Sequence, residues 1–201
     1  MEIKVLTPKG FSANCYILQD GEYAAVIDPG EYYSEAENTL KQAEYRYILL
    51  THPHFDHILG LYELWQKTGA KVVISEIDSI GLLEENGISL VKETGNFMPS
   101  VKPDILVCDN DKLPFNDGFI EVIVTPGHTA GSVCYKYKNS LFSGDTLFYE
   151  TIGRTDLPSG DFFTLKLSLN KLAKLPEEIV VYPGHENKTT IKHEKEFNPY
   201  M

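Results

Sequence analysis

The feature that most limits what this chain can be is Thr51-His52-Pro53-His54-Phe55-Asp56-His57, which packs three of the chain's six histidines and a carboxylate into six residues. Imidazole nitrogen and carboxylate oxygen are donors that first-row divalent metals take from proteins, and a His-rich, thiolate-free mixture suits zinc, iron or manganese. The competing reading is a polar loop whose histidines cap strands or bond to backbone, and such a loop has no need of four donors together. The segment therefore reads as half of a metal site.

The flanking pattern predicts how a fold would present it. Residues 45–50, Tyr-Arg-Tyr-Ile-Leu-Leu, are short, aromatic and branched, and read as a largely buried strand that stops at the first donor. After Asp56, the apolar residues Ile58, Leu61, Tyr62 and Trp65 recur at i, i+3, i+4 and i+7, which predicts one face of an amphipathic helix closed by Gly69. The strand-end arrangement recurs three times downstream. Residues 120–124 run into Thr125-Pro126-Gly127-His128, residues 140–143 into Gly144-Asp145, and residues 179–182 into Pro183-Gly184-His185. Each of these alone is an ordinary turn. With the first cluster they supply seven donors, His52, His54, Asp56, His57, His128, Asp145 and His185, enough for two metals. His193 sits in a charged stretch that reads as the solvated face of a terminal helix, outside the site.

The pattern His-x-His-x-Asp-His, then a distant Gly-His, a Gly-Asp and a final Gly-His, resembles the metallo-β-lactamase superfamily over nearly the whole chain, from the Asn14-Cys15-Tyr16 strand to Asn198-Pro199-Tyr200. Residues 143–148 and 152–158 and the tail from Tyr182 onward are similar to its glyoxalase II-like branch, in the short single-domain bacterial form. That resemblance implies an α/β (α+β) fold, a four-layer αββα sandwich formed by residues 1–201 as one domain. It also implies that His52, His54 and His128 hold one metal, that Asp56, His57 and His185 hold a second, and that Asp145 bridges them. Asp56 would also orient a bridging hydroxide, which makes it the catalytic candidate. Two metals about 3.5 to 4 Å apart lower the pKa of a shared water and stabilise charge developing on a carbonyl oxygen, so no serine or cysteine nucleophile is required.

The activity so implied is hydrolysis of a small-molecule thioester, S-lactoylglutathione or a related acyl thioester, with two divalent metal ions as cofactors. Zinc is the first expectation, and iron and manganese are the alternatives. The chain ends within about sixteen residues of His185, whereas classical members of the branch carry an added helical domain that contributes to glutathione binding. Another low-molecular-weight thiol, or a broader range that includes lactones, fits equally well. Arg154, in Gly153-Arg154-Thr155-Asp156, is a candidate for binding a substrate carboxylate through two parallel hydrogen bonds, set against pairing with Asp156 that merely shapes the loop, which is the favoured reading. An alternative activity is an iron-dependent persulfide dioxygenase, whose branch shares this loop, with one iron on His52, His128 and Asp145. A non-catalytic module would be marked by a missing donor, and all seven are present.

Composition agrees with one metalloenzyme domain. At 201 residues and 42% hydrophobic, the chain can bury a sizeable core. Its net charge of −11 argues against nucleic acid, which is bound through clustered Lys and Arg. The charged N-terminal strand lacks the apolar run of a signal peptide, and no stretch is long enough to span a membrane. Cys15, Cys108 and Cys134 are odd in number and set in apolar stretches, so they read as buried thiols of a cytoplasmic protein. Two similar halves are expected, opening with hairpin-like segments at residues 2–28 and about 104–143. Helices are expected over 33–43, over 77–85 and from Asp161 to Pro176, where Phe162, Leu165, Leu169 and Leu172 face the core. Residues 93–103 would form a linker between the halves or a loop over the site.

Overall fold

The computed structural model describes residues 1–6, 8, 10, 12–83 and 87–201. Among these, the strands form two six-stranded mixed sheets. The first runs β1 (Glu2–Leu6), β2 (Cys15–Asp20), β3 (Tyr23–Ile27), β4 (Tyr45–Leu49), β5 (Lys71–Ser75) and β6 (Ile105–Val107) in spatial as in chain order. The second is likewise in chain order, β7 (Lys112–Phe115), β8 (Gly118–Val124), β9 (Val133–Tyr137), β10 (Ser140–Gly144), β11 (Val180–Pro183) and β12 (Thr189–Thr190). Strands β3 to β6 are parallel to one another, as are β10 and β11. The helices α1 (Ser34–Gln42), α2 (Phe55–Ile58), α3 (Leu61–Thr68), α4 (Phe162–Leu172) and α5 (Ile191–Phe197) cover the outer faces.

Side-chain alternation along the strands builds the layers. Cys15 and Ile17 of β2, Val26 of β3, Ile48 of β4 and Val72 of β5 point outward into a core shared with Leu40, Leu61 and Leu64 of the helices. Their neighbours Tyr16, Leu18, Ile27, Leu49 and Val73 point inward, against Tyr135 and Tyr137 of β9 and Phe142 of β10. On the far side, Cys134, Leu141 and Val181 face Leu165, Leu169 and Leu172 of α4. A period-2 alternation with both faces apolar requires cover on both sides of each sheet, and the αββα sandwich is the result.

Several expectations are corrected at this level. The helix expected after Asp56 is broken into α2 and α3 at Leu59-Gly60. Gly60 donates to the Pro29 carbonyl at 2.8 Å, and a side chain there would overlap the backbone of Glu31, so the turn must approach closely and the axis changes. Gly69 does close α3, in the left-handed conformation at φ 61°. The 77–85 helix is a shorter 3₁₀ turn over Asp78–Leu82, and Glu85 lies outside the described residues. Strand β6 pairs with β5, so the second half's meander begins at β7 rather than near residue 104. Residues 93–103 are no free linker, since Met98 and Val101 are buried in the first core. Phe162, at the start of α4, is 43% exposed, although Leu165, Leu169 and Leu172 face the core as expected. Cys15 and Cys134 are buried, but Cys108, just past the edge strand β6, is exposed. No helix among the described residues is long and apolar enough to cross a membrane.

Candidate metal centre

All seven predicted donors meet at one edge of the sandwich, where the carboxyl ends of the parallel strands open outward. Ligand sites of parallel sheets form at such ends, because the chain must leave the sheet there through a loop. Strand β4 leads into His52 and His54, α2 carries Asp56 and His57, β8 leads to His128, β10 to Asp145 and β11 to His185. Three groupings are close enough to share an ion: His52 with His54 and His128, His52 with His57 and Asp145, and Asp56 with His57 and His185.

Hydrogen bonds around the donors fix which ring nitrogen faces inward. Asp28, at the end of β3, accepts from the Thr51 amide at 2.8 Å, the Thr51 hydroxyl at 2.7 Å and His57 Nδ1 at 3.0 Å. With its proton given to Asp28, Thr51 Oγ1 accepts from His52 Nδ1 at 3.1 Å. His128 Nδ1 donates to the Arg154 carbonyl at 2.7 Å. These outer partners leave the Nε2 lone pairs of His52, His57 and His128 pointing into the site. His128 Nε2 lies 3.2 Å from His52 Nε2 and 2.9 Å from His54 Nδ1. His57 Nε2 faces Asp145 Oδ1 at 3.2 Å, and both atoms are buried without a hydrogen-bond partner. Acceptor atoms facing one another in a buried site are costly unless a cation lies among them. The donor set therefore fits divalent metal.

Asp145 touches both ends of the cluster. Its carboxylate lies 3.2 Å from His57, 3.5 Å from His128 and 3.7 Å from His185. Asp56 Oδ2 lies 3.1 Å from His185 Nε2 and 3.8 Å from His57 Nε2. Burial raises both carboxyls, but His57 and its neighbours outweigh it and hold them below their usual range. Burial and the adjacent imidazoles push His52 well below 6.5 and His54 down to about 3. Burial opposes protonation of His57 and His185 as well, yet the carboxylates around them raise both.

These shifts fix how stability of the metal-free protein responds to acid. Below about 6.5 the unfolded chain protonates histidines that His52 and His54 decline in the fold, so the unfolded state binds more protons. His57 and His185, raised in the fold, are protonated in both states there and contribute no slope. Chelator-treated protein should thus lose stability as pH falls from about 6.5 towards 3, and Asp56 and Asp145 act in the same direction at the acid end. Urea midpoints measured across that window test this, and a midpoint that rises on acidification refutes it.

Close packing supports the donors. A side chain on Gly184 would overlap Asp145 Oδ1 and sit 2.7 Å from His57 Cε1. A Gly184→Ala variant should suffer overpacking of about 1–3 kcal/mol and lose metal on dialysis, as read by elemental analysis beside thermal unfolding. Asp28 does not stand out in the sequence, although Ile27-Asp28-Pro29-Gly30 has the same strand-end form as the donors. Nor does Asp78, which accepts from Thr129 Oγ1 at 2.5 Å and the Gly131 amide at 2.9 Å, and so braces the loop behind His128. Asn14 does the same for His185, since its side chain donates to the Pro183 and Glu186 carbonyls. His193 stands apart, paired with Glu150 at 2.9 Å and stacked on Tyr149.

The centre opens into a cleft of about 560 Å³. Phe55, Leu90, Phe148, Ile152 and Leu157 give it apolar walls, and Thr151, Arg154 and Glu186 are polar. The Arg154 guanidinium forms a two-pronged pair with Asp156 at 2.7 and 2.6 Å, which is the loop-shaping arrangement weighed from sequence.

A family model, that of the metallo-β-lactamase superfamily, matches residues 8–185. The chain belongs to this superfamily. Like other metallo-β-lactamase superfamily hydrolases, which bind divalent metals, it carries His/Asp groups able to do so. It is 35% identical over 215 residues to the hydroxyacylglutathione hydrolase GloC of Haemophilus influenzae, covering 100% of this chain and 98% of that one. Among solved structures it is similar to the BLEG-1 B3 metallo-β-lactamase, at TM-score 0.88 and 36% identity over 99% of each chain. It is also similar to TTHA1623 in a di-iron-bound form, at TM-score 0.80 and 31% identity over 98% of this chain and 100% of that one.

Proposed function

We propose that this superfamily member is a metal-dependent thioester hydrolase with two divalent ions. His52, His54 and His128 would hold one, Asp56, His57 and His185 would hold the other, and Asp145 would serve both. The observation that carries this is the Asp145 carboxylate within 3.7 Å of histidines from both sets, in a buried cluster whose lone pairs face one another. The likeness to GloC and to the di-iron-bound TTHA1623 supports it. The donors accept zinc, iron and manganese alike.

When bound, such a pair supplies a nucleophile from water near neutral pH and stabilises charge on the substrate carbonyl oxygen. The chain's own residues do the rest. Asp56 stays ionised and lines the cleft, where it accepts a hydrogen bond from the attacking water and aims it. Phe55, Leu90, Phe148, Ile152 and Leu157 give the thioester an apolar surface beside the reacting carbonyl. Arg154 lines the cleft but is held by Asp156, so its part is to shape this loop. The likeness to BLEG-1 supports a second reading, hydrolysis of a β-lactam amide by the same groups.

The test is metal analysis combined with a small panel: S-lactoylglutathione, acyl thioesters of other thiols, a lactone, a β-lactam and glutathione persulfide. About two metals per chain, thioester cleavage and no oxygen uptake are expected. Cleavage of the β-lactam alone would move the assignment to the second reading. One iron per chain with persulfide-dependent oxygen consumption would replace hydrolysis with the dioxygenase.

A further inference from the structure

Glu194 carries a carboxylate that is fully buried yet lies outside the metal cluster, on the C-terminal helix α5. Each of its three partners donates to it: Thr189 Oγ1 at 2.6 Å, the Glu150 amide at 2.9 Å and Asn198 Nδ2 at 2.8 Å. The same Asn198 nitrogen also donates to the Thr151 carbonyl at 3.0 Å. That carbonyl accepts in turn from the Phe148 amide at 3.0 Å, which closes the turn. The backbone at residues 148–151 is therefore held from inside the turn and from behind it.

This turn leaves β10 immediately after Asp145 and forms one wall of the cleft, through Phe148, Thr151 and Ile152. The Phe148 ring meets the His185 ring edge-on, with centroids 5.9 Å apart. Glu150, at the back, takes the left-handed φ of 56°. A non-glycine residue in that conformation is held there by its surroundings. The Glu194 bond to its amide is one such restraint, and the His193 bond to its side chain is another.

We infer that Glu194 and Asn198 are positioning residues for the substrate. They clamp the 148–152 wall in place, so that a helix with no donor to the metal sets how tightly the cleft holds the group beside the reacting carbonyl. The inference rests on the hydrolase reading of the site. Hydrogen bonds to a buried carboxylate are among the stronger ones, and a wall released from them samples wider positions. The loss should appear in substrate binding before it appears in the chemistry, because neither residue touches a metal donor or the reacting atoms.

The experiment compares metal-loaded wild type with Glu194→Gln and Asn198→Ala. The first puts an amide donor among the three donors that the carboxylate served, and the second removes the link to Thr151. Hydrogen exchange of the peptide spanning residues 148–152 should quicken about tenfold in each variant. KM for the thioester cleaved by wild type should rise about tenfold while kcat stays within about threefold, with metal content unchanged. If Glu194→Gln fails to fold, Asn198→Ala carries the same two readouts. Unchanged exchange at 148–152 overturns the inference, and so does faster exchange with KM unmoved, because that outcome describes a brace for the helix alone. If wild type cleaves nothing in the panel, the hydrolase reading falls, and exchange at 148–152 alone then upholds or overturns the clamp.

Discussion

An Asp145→Ala variant is expected to retain at most one metal per chain and to hydrolyse thioesters at least about 100-fold more slowly than wild type. The reason is geometric. Asp145 is the one carboxylate within 4 Å of histidines from both proposed sets among the described residues, so its loss loosens both, whereas loss of His54 or His185 removes a donor from one end. Metal analysis and initial rates on one preparation test this. Two metals retained with the rate intact would show that Asp145 does not lie between two ions.

The second large effect is expected at Asp28, which lines no part of the cleft. Removing its carboxylate in Asp28→Ala leaves the Thr51 amide, the Thr51 hydroxyl and His57 Nδ1 without their acceptor in a buried setting. An unsatisfied buried polar group costs about 1–3 kcal/mol, so a loss of about 3 kcal/mol or more is expected, read as the shift in urea midpoint. The imidazole of His57 would also lose the partner that fixes its tautomer, and the Thr51 hydroxyl that bonds His52 would lose the acceptor that orients it, so metal affinity should fall about 10–100-fold. Asp28→Asn keeps the shape and one acceptor oxygen, so it should lie between wild type and the alanine variant in both measurements. Metal affinity unchanged in Asp28→Ala would mean that the histidines need no such support.

The seven candidate donors that the structure brings together were legible because four apolar runs each end in Gly, Pro or Thr beside one of them, and the first leads directly into the cluster of His52, His54, Asp56 and His57. What supports them was not legible. Asp28 reads locally as a turn, and its partners Thr51 and His57 lie 23 and 29 residues away. The Glu194 clamp joins residues 44 apart. Contacts of that kind are set by how the sheets dock, which no periodicity records. The same holds for the smaller misses. The i, i+3, i+4 pattern runs unbroken across Leu59-Gly60, so the break in the helix follows from a backbone approach by Pro29 and Glu31. Strand β6 is three residues long, too short for its pattern to reveal a parallel partner, and the exposure of Cys108 follows from that edge position.

The centre draws on both sheets: His52, His54, Asp56 and His57 follow β4 of the first, while His128, Asp145 and His185 follow β8, β10 and β11 of the second. An ion held by donors from both sides would belong to neither half and would act as a rivet between them. Such an ion would bind the docked pair in preference to the separated halves, so by mass action each tenfold rise in free metal above its dissociation constant would add about 1.4 kcal/mol to the hold of one sheet on the other. Metal supply in the cell would then govern how long the molecule stays assembled as well as how fast it turns over.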